Sequence, residues 1–180
     1  KRVEKNDIVL IGGGEPMLYK DLDVLLKKLY EVASLVVVST NATIYREVPN
    51  SNKLIIQLSL PTLDKKKYEE VTGYRGNFER VLENIRKYAQ KYNCVINVPL
   101  ANFNLYEMKK LAKFADELGI PIRFRKIVGM ELDENEAKRL YIEILSEVKV
   151  EVELVLNERG LENLEYYSPF RPSGKHPFLL

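Results

Sequence analysis

The chain has 180 residues, 46% apolar and 30% charged, and its 28 Lys and Arg against 26 Asp and Glu leave a net charge of +2. That size suits one domain with a hydrophobic core, and the composition excludes disordered, collagen-like and low-complexity chains. The near-balanced charge gives no nucleic-acid footprint, and no apolar run nears the roughly 18 residues of a membrane-spanning helix. One cysteine, Cys94, and one histidine, His176, rule out disulfide frameworks, zinc ribbons and Cys-His nucleophile pairs within these residues.

Ile8 to Ile11 is a continuous apolar run closed by Gly12-Gly13-Gly14, the pattern of a strand buried on both faces. Asp21 is placed to cap a helix carrying Leu22, Leu25, Leu26 and Leu29. Strands follow at Leu35 to Val38 and Leu54 to Leu58, joined by a link too short and too rich in Pro and Asn for a helix. A short helix over Lys65 to Val71 closes at Gly73, its Lys65-Lys66-Lys67 run reading as a solvated first turn. The next helix lines Phe78, Val81, Leu82, Ile85, Tyr88, Ala89 and Tyr92 along one face.

Cys94 to Leu100 reads as a strand in which Cys94 is a small buried residue. Asn104 and Glu107 have the spacing of a capping box for a helix over Leu105 to Leu118, ended by Gly119 and Pro121. A strand over Ile122 to Val128, a helix starting at Asp133 and Glu136, and a strand over Val148 to Leu156 complete the pattern. Residues 157–180 read as an irregular tail holding His176 and the aromatic stretch Tyr166 to Phe170. The alternation predicts an α/β fold, a partial or open (β/α) barrel of mainly parallel strands over residues 1–156, with function on the loops at the strands' C-terminal ends.

The glycine loop Gly12-Gly13-Gly14-Glu15-Pro16 is the densest signal. No Gly-Lys-Ser/Thr follows it and no Gly-x-Gly-x-x-Gly opens a helix, and Glu15 has the wrong charge to face a phosphate. Carbonyl oxygens beside a carboxylate suit a cation, and an ammonium group with three donors and no acceptor complements them. The plainer alternative is a tight turn with a solvated Glu15. Arg123 and Arg125 alternate onto one strand face, where they would line the barrel interior and meet an anionic substrate.

Gly13-Gly14-Glu15-Pro16 after an apolar strand resembles the Gly-Gly-Glu-Pro motif of radical S-adenosylmethionine (radical SAM) enzymes. The series continues in order. Ser39-Thr40-Asn41-Ala42 resembles the family's Thr-Asn-Gly strand end, and Gln57-Leu58-Ser59-Leu60-Pro61 its Ser-Leu-Asp strand end. Tyr68 to Gly73 with Asn77 to Val81, then Asn97 and Arg123-Phe124-Arg125, resemble the branch holding the molybdenum-cofactor GTP 3',8-cyclase and peptide-modifying members.

The resemblance implies that Gly13, Gly14, Glu15 and Pro16 hold the methionyl ammonium of SAM. It implies that Thr40, Asn41, Ser59 and Asn97 serve its carboxylate, ribose or adenine edges, and that Ile127 and Val128 pack on adenine. It further implies a small-molecule or peptide substrate and an electron donor, while the lack of a basic-then-apolar leader or a spanning run and the near-balanced charge lead to the expectation of a cytoplasmic setting with no nucleic-acid or membrane partner. A four-iron four-sulfur cluster needs the family's Cys-x-x-x-Cys-x-x-Cys loop, and Cys94 alone cannot supply it. The start at Lys1, not Met, leads to the expectation of an upstream segment carrying that loop.

Three departures stand out. Ala42 replaces Gly, Pro61 replaces Asp, and Ile96 stands where the cyclase has a substrate lysine, which speaks against GTP. Competing expectations are a degenerate binding or scaffold module, and an unrelated barrel enzyme using Glu15 as a general base.

Overall fold

A computed structural model of the chain describes residues 7–73 and 75–156. Six strands, β1 (Ile8–Ile11), β2 (Leu35–Thr40), β3 (Leu54–Ser59), β4 (Cys94–Leu100), β5 (Ile122–Lys126) and β6 (Val152–Val155), form one sheet in chain order, all neighbours parallel. The helices are α1 (Leu22–Val32), α2 (Lys65–Thr72), α3 (Phe78–Lys91), α4 (Met108–Leu118) and α5 (Glu134–Glu147). Because each strand lies beside its predecessor and runs the same way, every crossover passes over the same face of the sheet. The sheet is wound as a barrel is but stays open, since β1 and β6 do not pair. No helix among the described residues is long and apolar enough to cross a membrane.

Strand alternation decides which residues meet the helices. Val36, Val38, Ile56, Leu58, Ile96, Val98, Ile122 and Phe124 are buried in one cluster with Leu26, Ile85, Leu111 and Ile144 of the helices. Burying each such side chain is worth about 1.5–3 kcal/mol. Cys94 belongs to this cluster as the sequence predicts, and burial pushes its thiol well above the ordinary range. The opposite parity carries Ser39, Gln57, Ser59, Asn97, Arg123 and Glu153 on the other, concave face.

The β2–β3 connection has no helix and is held by side chains of α3 instead. The Tyr88 hydroxyl donates to the Ile44 carbonyl (3.1 Å) and accepts from the Arg46 N–H (3.0 Å). Tyr92 does the same at Val48, and the Asn84 amide donates to the Ala42 carbonyl (2.9 Å). Burial holds the Tyr88 phenol up at about 12. Arg46 reaches from this strap to the Tyr19 and Lys20 carbonyls and to Asp23, fastening it to the loop after β1.

Several local expectations are corrected. β1 is an edge strand in which no residue is buried and Leu10 is exposed, so it is not covered on both faces. β5 stops at Lys126, short of Val128, and β6 covers only Val152–Val155. Asp21 makes no side-chain capping bond.

Asn104 and Glu107 form no capping box. A 3-10 turn (Leu105–Glu107) precedes α4, and both side chains turn toward neighbouring loops. The Asn104 amide donates to the Pro61 and Pro99 carbonyls and accepts from the Ala101 N–H. Glu107 accepts from the Thr62 hydroxyl (2.6 Å), the Leu63 N–H (3.1 Å) and Lys67 Nζ (2.7 Å), so Lys67 is not an idle solvated charge. The loops after β3 and β4 are thereby tied together. The tail over 157–180, with His176 and Tyr166 to Phe170, lies outside the described residues.

Two outcomes follow for stability. Tyr88→Phe leaves the half-buried Ile44 carbonyl and Arg46 N–H without their hydroxyl partner, so urea denaturation should show a loss of about 1–2 kcal/mol; a change within about 0.5 kcal/mol would contradict the strap's role. Burial works to raise the Glu107 carboxyl, but the bonds from Lys67, Thr62 and Leu63 together outweigh it and hold it below the ordinary 4.5. A depressed carboxyl stabilises the fold above its unfolded value and loses that contribution as pH falls through the folded one. Wild type should therefore lose more stability than Glu107→Gln as pH falls from about 5 to about 3, and parallel pH profiles over that range would contradict this.

Candidate functional site

Open parallel sheets bind ligands beyond the C-terminal ends of their strands. At that end of β1, Gly13 (φ 85°) and Gly14 (φ 60°) both lie in the left-handed region, and a Cβ on either would point into open space. Glycine is required there by backbone conformation, not by crowding, and both residues are exposed. Their peptide groups can be approached by a ligand.

The loop's shape depends on Glu15. Its carboxylate accepts from the Met17 N–H (3.0 Å), the Thr40 hydroxyl (2.7 Å) and the Asn41 N–H (2.9 Å). The first bond caps the 3-10 turn Pro16–Leu18, in which Pro16 is buried and has no N–H to satisfy. The other two tie the loop to the end of β2. A carboxylate offers about four acceptor positions, so roughly one remains for a cationic ligand group.

Thr40 needs correction as a ligand donor. It lies on the helix-facing parity of β2 and is only 2% exposed. Its single proton goes to Glu15, while its oxygen accepts from the Ala42 N–H (3.1 Å). Thr40 positions Glu15. Asn41 is half-buried, its side-chain oxygen bonded to Thr43 in a local turn. Ala42 has φ 56°, which explains on backbone grounds why the resembling motif carries glycine here.

Ser59, Asn97, Arg123 and Glu153 are lateral neighbours across β3 to β6, forming one polar row on the concave face. Ser59 and Asn97 are half-buried and their side chains make no hydrogen bond among the described residues. A second row holds Ser39, whose hydroxyl accepts from the Gln57 amide (3.1 Å). Sequence reading passed over Ser39, Gln57 and Glu153, although strand parity was the available signal: each falls opposite its strand's apolar positions.

The arginine pair divides. Arg123 is 6% exposed and its Nε meets Glu153 Oε2 at 2.5 Å, so the expectation that it meets an anionic substrate is corrected. Arg125 is partly exposed and makes no ion pair among the described residues. Burial, then the Glu153 charge, raise the Glu151 carboxyl near this row against the pull of Arg123. Ile127 and Val128 fall just beyond β5, where the Ile127 N–H bonds the Leu100 carbonyl (3.0 Å) and Val128 is 67% exposed. Ile96 is fully buried among the helices, so its identity carries no argument about GTP. The described residues hold no group of three or more His, Cys, Asp or Glu suited to a metal ion.

If Glu15 braces the loop, Glu15→Ala should lower stability by about 2–3 kcal/mol and speed amide exchange at Met17 and Asn41. Unchanged exchange at both amides would contradict the brace.

The family model described as Radical SAM superfamily matches residues 1–115. A protein of Pyrococcus abyssi named "Probable GTP 3',8-cyclase" is 26% identical over 172 residues, covering 88% of this chain and 55% of that protein. The GTP 3',8-cyclase of Saccharophagus degradans is 28% identical over 150 residues, covering 77% of this chain and 44% of that protein. The chain thus spans about half the length of these curated relatives. The crystal structure of archaeal TYW1 superposes with a TM-score of 0.60 at 21% identity, over 79% of this chain and 50% of that one, which is a likeness of fold. With the family model matching well over half of its residues, the chain belongs to the radical SAM superfamily.

Proposed function

We propose that these residues form the SAM-binding barrel portion of a radical SAM enzyme whose cluster-ligating cysteines lie in polypeptide outside them. The observation that carries the reading is the exposed Gly13–Gly14 backbone held open by a Glu15 carboxylate with acceptor capacity left over. Family members use SAM with a four-iron four-sulfur cluster, which together supply reductive cleavage to a 5'-deoxyadenosyl radical.

The residues present fit the SAM molecule. Gly13, Gly14 and Glu15 would accept the methionyl ammonium, and buried Pro16 would keep the turn rigid. Ser59 and Asn97, whose side chains make no hydrogen bond among the described residues, would serve the ribose and adenine edges, and the side-chain nitrogen of Asn41 the carboxylate. Ile127 and Val128 would cover an adenine face. Arg125 would face the anionic part of a small-molecule or peptide substrate, and Arg123 with Glu153 would hold the floor of the site.

The residues present do not fit the cluster. Cys94 is the one cysteine, buried, with a thiol that burial keeps protonated, whereas iron ligation needs thiolates. A second reading, a degenerate module that binds without redox chemistry, is favoured by this and by Pro61. That residue is buried, with its carbonyl bonded to Asn104, where the resembling motif has an aspartate.

Calorimetric titration of the chain with SAM should give saturable binding, weakened about tenfold by Gly14→Ala, because an L-residue at φ 60° costs about 1–2 kcal/mol. No binding would defeat both readings. The natural polypeptide with its flanking sequence, reconstituted with iron and sulfide without oxygen, should then release 5'-deoxyadenosine on reduction with SAM. Binding without cluster or 5'-deoxyadenosine would leave the degenerate module.

A further inference from the structure

On the helical side, away from the concave face, α3, α4 and the loop after β3 enclose a groove of about 600 Å³. Leu63, Leu82 and Phe114 supply its less exposed, apolar part, while Arg86, Tyr106 and Lys110 stand exposed along it. Tyr106 is 76% exposed, its ring and hydroxyl both open to a partner.

The charges in the groove are unevenly answered. Lys109 and Lys113 also line it, but both are paired with α5 carboxylates, Lys109 to Glu143 and Glu147, and Lys113 to Glu147. Arg86 lies over the Phe114 ring at 5.4 Å with no carboxylate among the described residues, and Lys110 has no ion pair there either. Two cations without an ion pair, on different helices, thus flank an apolar strip, Lys110 with the Asp64 carboxylate within electrostatic reach. Glu117 is the one acidic lining residue.

We propose that this groove docks an acidic segment of a partner protein, one that seats a large apolar side chain against Leu82 and Phe114 between carboxylates facing Arg86 and Lys110. A nucleic acid fits less well. Its regular phosphates call for a track of several unanswered cations, and the apolar strip would gain nothing from a sugar-phosphate chain.

The groove also touches the mouth of the cofactor site through the chain. The Leu63 N–H donates to Glu107, which holds Thr62 and Lys67 as well, so a bound segment rests on the loop that follows Ser59. This inference does not depend on the proposed SAM chemistry.

Fluorescence anisotropy with a labelled peptide of Glu and Asp around a central Phe-Leu pair tests it. Binding should be saturable, and about tenfold weaker for the same peptide with every acid replaced by its amide, and for Lys110→Glu or Arg86→Glu. Lys27→Glu, at an exposed position of α1, makes the same change in net charge elsewhere and should leave affinity within about twofold. Exposed Tyr106→Ala should also weaken binding without loss of fold, as checked by circular dichroism. The proposal is overturned if no saturable binding occurs, if the amide peptide binds equally, if Lys27→Glu matches Lys110→Glu, or if a single-stranded RNA oligonucleotide binds more tightly than the peptide.

Discussion

One carboxylate, that of Glu15, joins the turn after β1 to the end of β2 through three donors, Met17 N–H, Thr40 hydroxyl and Asn41 N–H. Everything proposed for the site depends on this tie. Two left-handed glycines in sequence would otherwise lose considerable backbone entropy on adopting a single shape. With the carboxylate holding both flanks, the Gly13–Gly14 backbone is presented in one conformation and stays open to solvent. The same group that stiffens the loop keeps an acceptor position to spare, so the structural role and the proposed binding role fall on one side chain.

The remainder of the site follows from sheet geometry. Parallel strands in chain order put all their C-terminal ends at one edge, and the pleat sends alternate residues to the concave face. Ser59, Asn97, Arg123 and Glu153 become a row because the register pairs them, although up to 94 residue numbers separate Ser59 from Glu153. Outside the sheet, Tyr88, Tyr92, Arg46, Asn104 and Glu107 satisfy the backbone of the connecting loops. A connection without its own helix, such as that between β2 and β3, leaves polar groups that side chains of α3 must satisfy.

Much of this was legible in the residues. Apolar runs and helical periodicity place the six strands and five helices of the described residues, and Gly73 and Gly119 end α2 and α4 with the left-handed geometry expected of helix-terminating glycines. What was misread shares a cause. Asn104 and Glu107 have capping-box spacing, but tertiary partners on the loops after β3 and β4 outcompete the local bonds. Thr40 looks like a free strand-end hydroxyl until Glu15, 25 residues earlier, takes its proton. Arg123 and Arg125 share a face, yet only the strand next door shows that Glu153 neutralises the first. Local pattern reports parity and termination; which polar group answers which depends on contacts across the sheet.

Backbone amide mapping by nuclear magnetic resonance during titration with SAM addresses the central claim most directly, since it reports place as well as affinity. The account predicts saturable shifts at Gly13, Gly14, Asn41, Ser59 and Asn97, with little change along the α3–α4 groove. Shifts that never saturate, or that fall on the helical face while the glycine loop stays unperturbed, would contradict it.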